Sequence, residues 1–233
     1  MATNDLSHST DRRSFIGSLA AGAATTIGVS ALANPFAVHA GTNEQHSSDD
    51  PEAWINKIKG KHKVVFDATR PHEIFPFAWP RVFLLTNGAT GVAEKDCCAV
   101  VVLRHAAIPY AFEDRLWEKY KFGDMFKAHE PFTEKPASRN PFWKPAPGAF
   151  KLPGFGEVSI GINELQASGA LFCVCSAAMT VYSAAAAQSM GKDAAEVKKD
   201  WEAGLLPGIQ VVPSGVWALG RAQEKGCAYI FAG

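Results

Sequence analysis

Uninterrupted apolar runs recur along the chain, separated by stretches with helical spacing. HKVVFDA (62–68), CCAVVVLRH (97–105), ALFCVCS (170–176), GIQVVPSG (208–215) and CAYIFA (227–232) read as strands. Apolar runs without alternation suit a sheet covered on both faces, as parallel sheets are. PEAWINKIKG (51–60) is a short amphipathic segment. The next stretch begins as a proline-broken loop and predicts a helix from Pro80 to Asn87, ending at Gly88. YAFEDRLWEKYKFG (110–123) places Phe112, Leu116 and Tyr120 on one helical face and predicts a helix stopped by Gly123. Further helices are expected over 162–169, 177–190, 194–206 and 216–226. Strands alternating with helices imply βαβ units, so the expected fold is a three-layer α/β/α domain with a mostly parallel five-stranded sheet.

Two regions depart from this pattern. Residues 124–157 carry many prolines and aromatics and no usable period, which predicts an insertion acting as a lid, a binding loop or an arm for another subunit. At the other end, Arg12 and Arg13 precede Phe15 and a mildly apolar stretch from Ser14 to Leu32, rich in Ala, Gly, Ser and Thr. AVHA (37–40) ends in a small residue and suits cleavage after Ala40. The arrangement resembles a twin-arginine export signal, with Asp11 where Ser or Thr is usual and Gly17 where Lys is common. Residues 1–40 are therefore expected to be a signal peptide passed through the twin-arginine translocase. Residues 41–50 then form a flexible mature N-terminus and 51–233 a single domain. The expected location is the periplasm or beyond it.

Charge excludes one class of partner. Lys and Arg together number 23, as do Asp and Glu, so the chain lacks the basic footprint of nucleic-acid binding. No cofactor is expected either: TNGATG (86–91) has neither the P-loop lysine nor dinucleotide-loop spacing. No CxxC or HxxxH spacing supports a metal site.

The chemistry is sought where open parallel sheets hold ligands, at the carboxyl ends of the strands. Strand by strand, that edge gathers Asp67 with Arg70 and His72, then Arg104 and His105, then Cys175 and Ser176, then Ser214. Cys175 stands immediately before a helix whose free N–H groups favour a thiolate. His105 is a candidate proton partner for it. Asp67, Arg70, Arg104, Ser176 and Ser214 are candidate substrate contacts. Cys173, two residues earlier on the same strand, reads as packing, and Cys97, Cys98 and Cys227 begin strands at the opposite edge. Five cysteines in an oxidising compartment leave at least one unpaired within the chain, and no disulfide framework emerges.

The last third adds a family likeness. GALFCVCSAAM, followed by LLPGIQVVPSGVWALGRAQEKGCAYIFA, resembles the sulfur-relay proteins of the DsrE/DsrF type across about residues 160–233. The resemblance implies a compact DsrE-like α/β/α domain assembled into trimers or hexamers. It also implies a strand-end cysteine that carries sulfur as a persulfide between thiol-bearing donor and acceptor proteins, a position that falls on Cys175. Whether the chain is an enzyme stays open. Its rival is a non-catalytic oligomeric binding module in which Cys175 only packs, and a metal or haem carrier ranks last.

Overall fold

The computed structural model describes residues 50–133 and 135–233. The expected export signal and residues 41–49 lie outside the described residues. Five strands, β1 (His62–Ala68), β2 (Cys97–Leu103), β5 (Leu171–Cys175), β6 (Ile209–Val212) and β7 (Ala228–Phe231), form one sheet in the order β6-β5-β2-β1-β7. Every pairing in it is parallel. All five lie where the apolar runs predict them. For β1, β2, β5 and β6 the reason is burial, since a strand buried on both faces needs apolar side chains, whereas the four residues of β7 are exposed.

Helices cover both faces, completing a three-layer α/β/α fold. On one side, α1 (Pro51–Ile55) and α8 (Gly215–Glu224) bury Trp54, Ile55, Ala218 and Leu219 against Val65, Val100, Val102 and Cys173. A larger core on the other side holds α2 (Phe75–Ala89), α3 (Asp114–Tyr120), α4 (Phe122–Met125), α5 (Ile162–Ala167), α6 (Ser176–Met190) and α7 (Ala194–Ala203). Among the described residues, no helix is long and apolar enough to cross a membrane.

Three local expectations need correction. Helix α2 begins at Phe75 rather than Pro80. Pro76 sits in the first turn, where an amide has no intrahelical acceptor anyway, so proline there starts the helix instead of breaking it. The expected 110–123 helix is interrupted. A 3-10 turn (His105–Ala111) leads to an extended Phe112, which bridges Leu205, while the Glu113 amide donates to the Gly204 carbonyl. Backbone pairing with the end of α7 thus overrides the helical period. A second break follows at Lys121, in the left-handed region at φ 50°; Gly123 then lies inside α4, where a Cβ would come within 2.3 Å of the Ala137 carbonyl oxygen.

The segment expected as a lid or arm is largely folded into the domain. Phe142 stacks on Phe77 at 4.2 Å between centroids, and Phe150 stacks in turn on Phe142. Buried Asn140 donates to the Tyr110 and Phe112 carbonyls, supplying the backbone pairing that an aperiodic segment cannot provide for itself. A short hairpin, β3 (Lys151–Leu152) with β4 (Gly156–Glu157), completes it.

Asp200 on α7 ties the interrupted 114–125 region down. It accepts from Arg115, Lys119 and Tyr120 on α3, at 2.6, 2.6 and 2.7 Å. Partial burial alone would raise the Asp200 carboxyl, but these three donors outweigh it and hold the group at about 2. A depressed carboxyl stabilises the fold above its unfolded value and loses that contribution as pH falls through its folded value. Both cations are 44% exposed, which keeps the contribution modest. Asp200→Asn is expected to lower stability by about 1 kcal/mol at pH 7. In urea titrations across pH, the gap to the unmodified protein should close between about pH 4 and 2.

Candidate functional site

Strand register and diagonal hydrogen bonds link four side chains at and just below the carboxyl edge. Leu103 on β2 pairs with Ala68 on β1 and with Val174 on β5. One residue further along, Arg104 is therefore the lateral neighbour of Cys175, on strands about 4.8 Å apart. The row continues the other way. Arg104 Nε and Nη2 donate to the two Asp67 carboxylate oxygens at 2.6 and 2.8 Å, and Tyr229 Oη donates to Asp67 Oδ2 at 2.8 Å. Four adjacent strands, β5, β2, β1 and β7, thus contribute Cys175, Arg104, Asp67 and Tyr229.

Asp67 is 1% exposed, so its charge needs these donors; Arg104 is 28% exposed and Tyr229 46%. The hydrogen bond to Asp67, the largest influence, holds the Arg104 guanidinium above its ordinary value. Desolvation first, then the bond to Asp67, pushes the Tyr229 phenol up. Gly215 makes room for the arrangement: a Cβ there would stand 2.5 Å from the Cβ of Arg104. The arginine stem therefore lies directly across the start of α8.

Cys175 ends β5 and caps α6. Its Sγ accepts from the Ala178 amide at 3.3 Å, so one free N–H of the helix start is aimed at the sulfur. The residue is 6% exposed and borders the larger core beside Met179. Cys173 packs in the opposite core, beneath α8, where complete burial pushes its thiol well above the ordinary value. At the other edge, desolvation raises Cys97 and Cys98, and lifts Cys227 to about 11. All five cysteines are free.

The remaining sequence candidates are distributed around this row. Ser176, the first residue of α6, is buried beside Cys175. The Ser214 hydroxyl accepts from the Trp217 amide at 3.1 Å and so caps α8. Arg70 is exposed on the loop after β1. His105 is also exposed, at φ 50°, and its Nε2 lies 3.3 Å from Tyr182 Oη. Tyr182 stands roughly 10 Å along α6 from Cys175, at 1.5 Å per residue. The charged neighbour of the thiol is thus Arg104, one residue before the histidine. Sequence reasoning did not single out Tyr229, which lies two residues before the end of β7. Only the β1–β7 register, with Val65 beside Tyr229, places its hydroxyl at Asp67.

A separate cavity of about 240 Å³ is built by the 145–164 stretch, including Pro145, Phe150, Glu157 and Glu164, and includes none of the strand-end row. No family model matches the chain, and no curated protein matches it. Among the described residues, no group of three or more His, Cys, Asp or Glu could hold a metal ion.

Removing one partner of a buried ion pair leaves an uncompensated charge, whereas removing one neutral donor leaves the pair intact. Arg104→Met is accordingly expected to cost about 3 kcal/mol and Tyr229→Phe about 1.5 kcal/mol. Urea unfolding at pH 7 checks both the values and their order.

Proposed function

We propose that this chain is an exported protein of the DsrE type that handles sulfur through Cys175. The observation that supports the reading best is the Ala178 amide aimed at the Cys175 sulfur, on a strand whose register carries Arg104 to the neighbouring position. A positive guanidinium and an N–H donor are the groups that an anionic sulfur, whether thiolate or persulfide, requires.

The chemistry balances without an external oxidant. The Cys175 thiolate attacks the outer sulfur of a donor persulfide, R–S–S⁻, breaking that S–S bond and releasing R–S⁻. The new Cys175 persulfide is then attacked at its outer sulfur by an acceptor thiolate, which takes the sulfur and restores the Cys175 thiolate. Arg104 and the start of α6 meet the negative charge at each stage, with Ser176 beside them. Asp67 positions Arg104, while His105 faces Tyr182 and takes no part in the transfer. Donor and acceptor are thiol-bearing proteins met after export by the twin-arginine route.

One observation favours the competing reading, an oligomeric binding module in which Cys175 only packs: the residue is 6% exposed. Persulfide loading separates the two. The folded, reduced protein is incubated with inorganic polysulfide, digested and analysed by mass spectrometry. The expected result is one added sulfur atom on Cys175 and none on Cys173, with loading abolished in Cys175→Ser. Arg104→Lys, which keeps charge but loses the bidentate fork, should slow alkylation of Cys175 about tenfold, equivalent to about 1.4 kcal/mol. A thiol at position 175 that reacts only after unfolding establishes the binding-module reading instead.

A further inference from the structure

Strand β7 is the outermost of the sheet on the β1 side, and its four residues AYIF are all exposed. Tyr229, Ile230 and Phe231 are 46%, 40% and 54% exposed, unlike any other strand of this sheet. Sheet edges are ordinarily protected by lysine, proline, a bulge or a covering element. Strand β7 has no lysine, proline or bulge, and among the described residues nothing pairs with its outer edge.

The strand is complementary to itself. The Ala232 amide donates to the Asp67 carbonyl at 3.0 Å, towards β1. Alternation along the strand therefore turns the backbone groups of Tyr229 and Phe231 outward. An antiparallel pairing of two such edges, centred on Ile230, places Tyr229 opposite the partner's Phe231 and the reverse. Both are hydrogen-bonded pairs, giving four backbone bonds. On the α8 face this register makes two aromatic cross-strand pairs; on the α2 face it sets Ile230 against the partner's Ile230.

Helix α2 extends the same surface. Arg81 bonds the Ser159 carbonyl and the Ser168 hydroxyl on the α5 side. Trp79 is two residues, or about 200°, round the helix from Arg81 and so faces the opposite flank, towards β7. Phe75 stacks on Trp79 at 5.0 Å, and Trp79 and Val82 are each 40% exposed. Aromatic side chains bury about 150–250 Å² each, so Tyr229, Phe231 and Trp79 at these exposures offer roughly 200–350 Å² per copy. With Ile230, Val82, Phe75 and the strand backbone, a symmetric pair comes within reach of the ~1,000 Å² total that a specific interface needs. Formal charge is balanced, at 23 of each sign, so two copies do not repel each other as wholes.

We propose that two copies of this chain pair through antiparallel β7 edges centred on Ile230, making one continuous ten-stranded sheet with a two-fold axis at that residue. This proposal does not depend on the thiol chemistry. The test is light scattering of the purified protein, together with three substitutions. The expected mass is twice, or an even multiple of, that of one copy as purified. Ile230→Lys sets like charges opposite each other and should weaken association about a hundredfold while the circular dichroism is retained. In Ile230→Cys, the introduced thiols belong to a non-hydrogen-bonded pair about 4.5 Å apart at Cα, within disulfide range. Mild oxidation should link them across the two-fold. Ala228→Cys places its thiols too far apart and should form no such link. A monomer at every concentration overturns the proposal, whatever covers β7. So does an oligomer that tolerates Ile230→Lys and forms no link through Ile230→Cys.

Discussion

A carboxylate buried at the end of a parallel sheet must be met by donors from neighbouring strands, and the upper edge of this protein is organised by meeting that demand. Asp67 has no water to turn to, so Arg104 grips it with two nitrogens and Tyr229 adds a third donor. Three strands are joined by one charge. The bond also decides where Arg104 lies, across the glycine that opens α8 and beside Cys175. Desolvating two charges cancels much of what their attraction supplies, so the pair contributes less to net stability than its distances suggest. Its consequence is positional: a cation whose direction is set from one side stands next to a sulfur on the other.

The two thiols of β5 show how strongly place decides chemistry within five residues. Cys173 lies in the middle of the strand with α8 beneath it, and burial disfavours its anion. Cys175 has the last position of the same strand, where the chain turns into α6 and the helix presents an unpaired amide. A thiol moved two positions along a strand goes from apolar packing to the company of an N–H donor and a guanidinium. Such a change needs no special residue, only the end of a parallel strand with a helix starting on it.

Much of the fold was legible because parallel strands buried on both faces leave unbroken apolar runs that little else imitates. What could not be read depended on tertiary partners. The 110–123 period is intact in the sequence, yet Phe112 and Glu113 leave the helix to pair with Leu205 and Gly204. The 124–157 stretch has no period because its aromatics fill gaps singly, Phe142 and Phe150 against Phe77, rather than lining one face of an element. At the site, Asp67, Arg104 and Cys175 were all visible as strand ends. Which of them touch was not, since that depends on register. A left-handed backbone at His105, outside any strand, sets its ring beside Tyr182, and the β1–β7 register brought in Tyr229 from inside β7.

Tyr229 belongs to both surfaces at once, and that links the proposed assembly to the proposed chemistry. Its hydroxyl points inward to Asp67 while its ring is half exposed on the outermost strand. Pairing two β7 edges lays the partner's Phe231 against that ring and removes the water nearest the Asp67–Arg104 pair. In a drier setting each hydrogen bond and each charge interaction in the row gains strength, including the one between Arg104 and Cys175. The sulfur lies three strands from that edge, and hydrogen bonds through Tyr229, Asp67 and Arg104 span the strands between. In the proposed assembly the thiol is reached through the field at its neighbour, without any requirement that β5 or α6 move.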